Sequence, residues 1–244
     1  MEIRRFFVPE CAVEKDRIIL DGEEFNHAVR VLRYKKGYKA VVSAGDGVDR
    51  YCTVESIGKD SLVFKVDTTE KNLAETRNKI TLYQAVIKGS KTDFVVQKAV
   101  ETGIFAVKLF VSQNVSEKEV NVKRLERIAL EAAKQCGRAI VPKVEFLPDF
   151  KSVLKEAEAF SGNKIMAYEN ESKVSVNDIG TKISQNADTL LLVGSEGGFT
   201  QNEYLDAKAA GFTSVSLGRR ILRAETAALF LTAITLYQTG ETAL

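Results

Sequence analysis

After residue 79 the chain changes texture: short β-branched runs alternate with helix-length amphipathic stretches, an order that few folds accommodate. ITLYQAVI predicts a strand, KTDFVVQKAVETG a helix stopped by Gly103, and FAVKLFVS the next strand. VKRLERIALEAAKQCGR follows as a long helix whose Leu125, Ile128, Ala129, Ala132 and Cys136 form an apolar stripe. KIMAYE, TLLLVG and TSVSLG supply three more strand-like runs with helices between them. Such alternation predicts an α/β domain with a parallel sheet and helices on both faces. The closing helix, about 224–238, reads AETAALFLTAITLYQ and is apolar nearly all round. It is therefore expected to be buried on more than one side, with a subunit interface favoured over a central position.

Residues 1 to about 70 read differently. RIIL, YKAVVSA, DRYCTVESI and SLVFKV are short β-rich runs separated by turn signals such as GDG and GKD. Between the first two lies GEEFNHAVRVL, where Phe25, Ala28, Val29 and Leu32 recur at helical spacing behind acidic first-turn residues. The expectation is a small barrel or sandwich with one helix over residues 1–70, a polar linker over 71–79, and the α/β domain over 80–244.

Composition narrows function more than fold. With 244 residues, 45% hydrophobic and 28% charged, the chain has the length and makeup of a globular protein with a sizeable core. It has no N-terminal apolar leader and no stretch of membrane-spanning length, so a cytoplasmic protein without membrane contact is expected. Cys11, Cys52 and Cys136 are odd in number and lack CxxC spacing, which points away from a disulfide framework. His27 is the single histidine. A zinc site would have to gather widely scattered ligands, so no metal is expected. A Ser-His-Asp hydrolase would rest wholly on His27, and the elbow pattern G-x-S-x-G fails because Val193 stands two residues before Ser195. A net charge of +2 is too small to announce nucleic acid. Any RNA affinity must come from local patches: Arg4-Arg5, RVLRYKK at 30–36, and GRRILR at 218–223, each of which also reads as ordinary solvated surface.

Two strand ends carry unusual loops, and in open parallel sheets ligands bind beyond the carboxyl ends of the strands. The first is VGSEGGFTQNE, with three glycines in five residues. Thr200 and Glu203 then have the T-x-x-E spacing of a capping box, which predicts a helix from about 201. The second is SLGRRILRAETAA, where Gly218 closes a strand well before the next helix. The dinucleotide fingerprint G-x-G-x-x-G and the P-loop are absent, and Glu196 in mid-turn opposes a pyrophosphate. A nucleoside-like ligand that carries positive charge and no phosphate fits better, and S-adenosylmethionine is such a ligand.

GSEGGF, LGRRILRAETAA, VVQKAVETG and EAAKQCGR, with RRFFV and HAVRVLR near the start, resemble the bacterial family that methylates N3 of a uridine in 16S ribosomal RNA. That family belongs to the SPOUT superfamily of knotted methyltransferases, and the resemblance runs in motif order from about residue 4 to 238. It implies an N-terminal PUA-like RNA-binding β-barrel and a C-terminal α/β domain with a deep trefoil knot in which S-adenosylmethionine is bent. It also implies a homodimer, and 16S ribosomal RNA of the small ribosomal subunit as partner. Position by position, it places Val193, Gly194, Glu196, Gly197 and Gly198 of the first loop at the cofactor. From the second loop it adds Leu217, Gly218, Ile221, Leu222, Arg223, Ala224 and Thr226, with MAYE at 166–169 as a third wall. Ser195 stands where the family usually has proline, a change expected to loosen the loop.

The chemistry this implies is an in-line displacement in which the uracil N3 proton leaves before or during attack, and charge spreads over the flanking carbonyl oxygens. Arg223 is expected to stabilise that charge. Glu225 either orients the arginine or takes the proton, the plain alternative being a first-turn acid favoured by the helix dipole. Arg4, Arg5, Arg30, Arg33, Arg138, Arg219 and Arg220 are expected at RNA phosphates, and His27 at a packing or RNA contact. Two other functions stay open on sequence: ribose 2′-O-methylation by another knotted enzyme, and a non-catalytic RNA-binding assembly factor that keeps the fold. A dinucleotide-dependent oxidoreductase is a more remote third.

Overall fold

The computed structural model describes residues 3–242. The chain divides into two compact units, one running to Glu75 and including Ala133–Val141, the other made of Thr76–Ala132 and the chain from Pro142 onward.

In the first unit β1 (Arg4–Phe7), β2 (Val13–Glu14), β3 (Arg17–Leu20), β4 (Lys39–Ser43), β5 (Val48–Ile57) and β6 (Leu62–Lys71) form one sheet in the order β1-β4-β5-β6-β3-β2. β1 runs parallel to β4, and the other pairs are antiparallel. RRFF is a strand that the sequence reading passes over, because its arginines hide the alternation that buries Phe6. Where a barrel is expected, no ladder joins β1 to β2 among the described residues, so the seam is not closed by backbone hydrogen bonds. The expected helix is α1 (Gly22–Asn26), which continues as a π-helical turn over His27–Val31 and packs Phe25 and Ala28 against Phe6, Leu20 and Phe64.

Two carboxylates explain why Ala133–Val141 groups with this unit, although the sequence reading keeps it in the later domain. Asp49 accepts from the Arg5 guanidinium, from Ser43 Oγ at 3.0 Å and from Asn72 Nδ2 at 2.7 Å; the same Asn72 amide donates to the Gly137 carbonyl at 2.9 Å. Glu75 accepts from Arg138 Nη2 at 2.6 Å and from the backbone N–H groups of Ala139 and Ile140. Each carboxylate is thus satisfied from several directions, as burial requires.

The second unit holds β7 (Ile80–Ala85), α2 (Lys91–Glu101), β8 (Ala106–Phe110), α3 (Val122–Cys136), β9 (Lys143–Leu147), α4 (Phe150–Glu158), β10 (Asn163–Ala167), α5 (Ile179–Lys182), β11 (Thr189–Val193), α6 (Gln201–Ala209), β12 (Thr213–Val215) and α7 (Ala224–Gln238); the last residues of α3 belong with the first unit. The sheet order is β12-β10-β11-β7-β8-β9 and every pair is parallel. β9, sequence KVEFL, is the strand that hydrophobic pattern misses: it sits at the sheet edge and carries Lys143 and Glu145. α2 ends where Gly103 takes φ 95, a left-handed position that stops the helix as its sequence predicts.

Period-2 alternation sorts the strands between two cores. Tyr83, Met166, Leu190 and Leu192 pack with Phe150 and Val153 of α4 and Ala207 of α6. On the other side α7 packs against β7, β11 and α2. β11 is buried along its whole length, as a parallel strand covered on both faces must be. α7 itself is only half covered: Ala228, Leu231, Thr235 and Leu236 are buried, whereas Phe230 is 39% and Tyr237 71% exposed. Among the described residues no helix is long and apolar enough to cross a membrane.

Candidate active site

The strand order sets the site. β7, β8 and β9 run off toward one edge, and β11, β10 and β12 occupy the other half, so the chain reverses its direction of growth beside β7. In such sheets that reversal opens a crevice at the carboxyl ends of the strands. Here the segments following β10, β11 and β12 enclose a cleft of about 520 Å³, within the range of roughly 300–1,000 Å³ typical of small-ligand sites.

Val193, Gly194, Glu196, Gly197 and Gly198 all line it from the first loop, and Leu217, Gly218, Ile221, Leu222, Arg223 and Ala224 from the second. Thr226 is not brought to it; that residue lies exposed in the first turn of α7. The third wall is Ala167, Tyr168 and Glu169, while Met166 points into the core. Sequence reading misses Lys91, Ser216 and Ala227 as lining residues, and it assigns Arg219 and Arg220 only to RNA although both line the cleft.

The glycine turn is held by its neighbours. The Gly198 N–H donates to the Ser195 carbonyl at 3.0 Å, and Gly198 has φ 64. Asn114 straps the turn from outside: its Nδ2 donates to the Gly197 carbonyl at 3.0 Å, and its own carbonyl accepts from Ser195 Oγ at 3.1 Å. From below, the buried Gln84 Nε2 donates to the Gly194 carbonyl at 2.9 Å. A Cβ on Gly197 would lie 2.8 Å from the Cβ of Asn114, and one on Gly198 would overlap Glu169 Oε1. These glycines therefore admit other parts of the protein to the turn, and both also line the cleft as the sequence reading expects. Gly218 is the contrasting case, with φ 110 and open space where a Cβ would stand. The predicted capping box is present: Thr200 Oγ1 accepts from the Glu203 N–H, and Glu203 returns a bond to the Thr200 N–H at 2.9 Å.

Glu196 does not stand as a bare negative charge. Its Oε1 accepts from Lys91 Nζ at 3.0 Å and from the Lys88 N–H at 3.2 Å. Burial pushes this carboxyl up, but its own backbone N–H, Lys91 and Lys88 outweigh that and hold it below the usual carboxylate range. The inference that Glu196 alone repels a phosphate is corrected accordingly, since Lys91 offsets it.

The arginines fall into two groups. Arg219, Arg220 and Arg223 are exposed along the second loop, and Arg223 caps α7 with an extended backbone, ψ 153. No hydrogen bond or ion pair joins Arg223 to Glu225 among the described residues, and Glu225 does not line the cleft; its Oε2 is buried without a partner. Arg30 and Arg33 are exposed on and just after the π-helical turn, where Arg33 has φ 55; Arg4 is exposed on β1, and His27 is half-buried. Arg5 and Arg138 are corrections to the expected RNA set. Their side chains are 11% and 3% exposed and are committed to Asp49 and Glu75, so both serve the fold of the first unit.

The parallel sheet with its cleft at the switch point and the small mixed-sheet unit fit an RNA methyltransferase, and the family models that match them give that class. The family model described as RNA methyltransferase domain matches residues 74–236, and that described as RNA methyltransferase PUA domain matches 20–67. Ribosomal RNA small subunit methyltransferase E of Mesomycoplasma hyopneumoniae is 32% identical, over 93% of this chain and 96% of that protein. The protein of the same name from Bacillus subtilis is 30% identical, over 97% of each chain. The crystal structure of a ribosomal RNA small subunit methyltransferase E from Neisseria gonorrhoeae, bound to S-adenosyl methionine, superposes with a TM-score of 0.84 at 28% identity, covering 97% of this chain and 98% of that one. The chain belongs to the ribosomal RNA small subunit methyltransferase E family.

Proposed function

We propose that this protein transfers the methyl group of S-adenosylmethionine to N3 of a uridine in 16S ribosomal RNA, acting in the cytoplasm on the small ribosomal subunit as a homodimer. The observation that carries the proposal is the cleft itself, in which the two loops singled out by sequence, one after β11 and one after β12, meet around the end of β10 between them.

The residues present fit that cofactor. Val193, Leu217, Leu222 and Ala227 offer apolar walls, Gly218 leaves a space that any side chain would fill, and Glu169 provides negative charge. Val193, Gly194, Gly197, Gly198, Leu217, Gly218, Leu222 and Ala224 would hold it. When bound, S-adenosylmethionine supplies a methyl group on a sulfonium leaving group, so that an N3–C bond forms as the S–C bond breaks. The protein then has two tasks, to hold the uracil in line and to stabilise the charge left as the N3 proton passes to solvent at the open cleft. Arg223, exposed at the cleft, is assigned the second task. Glu225 is assigned support for it: its Oε2 is buried without a partner among the described residues and is an acceptor two residues along from Arg223. Arg219, Arg220, Arg30, Arg33 and Arg4 are assigned to phosphates.

The homodimer reading rests on exposed apolar surface on two helices that pack against each other, Phe94 of α2, 42% exposed, and Phe230 and Tyr237 of α7. The trefoil knot stays part of this reading as well, as the way the two loops are threaded. The test is to incubate the purified protein with S-adenosylmethionine and either naked 16S RNA or isolated small subunits, then digest to nucleosides and weigh them. A methyl group on the uracil base supports the proposal; a methyl group on ribose, or none with either substrate, removes it.

A further inference from the structure

Among the described residues two carboxylates line the cleft, Glu169 and Glu196, and they are not equivalent. Glu196 is taken up by Lys91 and the Lys88 N–H. Glu169 is exposed and makes no hydrogen bond or ion pair with any described residue. It is nevertheless placed with care by what surrounds it. The Tyr168 N–H donates to the Val215 carbonyl at 3.1 Å, and the Glu171 N–H closes a turn onto the Tyr168 carbonyl at 3.2 Å. The Tyr168 ring stacks on Tyr204 with centroids 4.3 Å apart, and the Glu171 carboxylate is held by Ser214 Oγ and the Lys173 N–H. Between these fixed points the Glu169 carboxylate lies against Gly198, so closely that a Cβ there would overlap it. A charge without a partner, on an anchored segment in a ligand cleft, is a preorganised element.

We infer that Glu169 reads the positive charge at the sulfonium of S-adenosylmethionine, and that it makes the cleft hold the charged cofactor more tightly than its neutral product, S-adenosylhomocysteine. The inference rests on the cofactor reading above and adds a role to it. The two molecules share adenosine, α-ammonium and carboxylate groups and differ in the methyl group and its charge. Arg219, Arg220 and Arg223 line the same cleft and disfavour any added positive charge, so a counter-charge is needed for the cofactor to be preferred. Once the methyl group has gone, the attraction to Glu169 goes with it, which favours release of the spent cofactor. Glu169 thereby becomes a binding residue that sets the order of affinities, and Glu196 becomes the anchor of the turn.

The test is calorimetric titration of the wild type and of Glu169→Gln with S-adenosylmethionine and, separately, with S-adenosylhomocysteine. Glutamine keeps the shape and removes the charge, and a thermal melt of the variant checks the fold. Expected is a loss of about three- to tenfold in affinity for S-adenosylmethionine, with less than about twofold for S-adenosylhomocysteine. The selective loss should shrink at high salt. Equal losses for both molecules would mean that Glu169 is only a structural wall, and no loss for either that it faces the ligand without using its charge; both overturn the inference. A wild type that binds neither molecule removes the cofactor reading itself, and that result is visible before any variant is made.

Discussion

The Ser195 hydroxyl donates to the carbonyl of Asn114 at 3.1 Å, so a side-chain bond restrains the turn at the position where the family resemblance implies a proline ring. Proline restricts the turn in the unfolded chain; serine restrains it only after folding, through a partner that also binds the Gly197 carbonyl. Ser195→Ala is therefore expected to weaken binding of S-adenosylmethionine several-fold while costing only about 1 kcal/mol of stability. Calorimetry beside denaturant unfolding separates the two effects, and unchanged cofactor affinity would show that the turn does not depend on the bond.

Asp49 gives the first unit a pH dependence of known sign. Burial pushes its carboxyl up, but hydrogen bonds from Arg5, Asn72 and Ser43 outweigh burial and hold it below the usual carboxylate range. A depressed folded value contributes stability that is complete above the ordinary pKa of about 3.9 and is lost as pH falls through the folded value. Asp49→Asn should cost about 3 kcal/mol near neutrality, because it leaves Arg5 buried beside no counter-charge. As pH falls below about 3.9 the gap between the variant and the wild type should begin to close, and it should vanish only below the lower folded value. Unfolding curves that stay parallel down to acid pH would contradict this.

Neighbouring arginines separate chemistry from RNA binding. Arg223→Ala should lower turnover on the order of a hundredfold with little change in RNA affinity, as expected of an interaction made mainly in the transition state. Arg219→Ala and Arg220→Ala should instead weaken RNA binding and flatten its salt dependence by roughly one slope unit per lost phosphate contact. If Arg223→Ala loses only RNA affinity and keeps its saturated rate, it is a further phosphate contact and the catalytic assignment fails.

The exposed face of α7 carries the oligomer prediction. Leu236 is 5% exposed and faces the chain's own core, so a charge there tests folding. Phe230→Asp with Tyr237→Asp, both on the uncovered side, tests assembly. Light scattering should give twice the chain mass for the wild type and one chain mass for the folded double variant. A wild type of one chain mass contradicts the homodimer.

What was legible in the sequence is what local pattern encodes. Thr200 and Glu203 announce their capping box because both partners sit within one turn, and Gly103 announces the end of α2 for the same reason. The run TLLLV reads as a buried strand because no residue in it is polar except the first. The site was legible as two loops, since glycine clusters stand out locally. Its internal logic was not. Ser195 and Asn114 are 81 residues apart, Glu196 and Lys91 105, and Arg5 and Asp49 44, so nothing local marks these pairs. An arginine committed to a buried carboxylate and one reaching for phosphate look alike until the fold brings the carboxylate to it. β1 and β9 were hidden by charges tolerated at sheet margins.

The central claim is base methylation of the small-subunit RNA, and nucleoside analysis of 16S ribosomal RNA from a strain lacking this gene tests it most directly. The account predicts that 3-methyluridine disappears from that RNA, returns when the wild-type gene is restored, and does not return with Arg223→Ala. Undiminished 3-methyluridine in the strain without the gene, or the loss of a ribose-methylated nucleoside in its place, would contradict it.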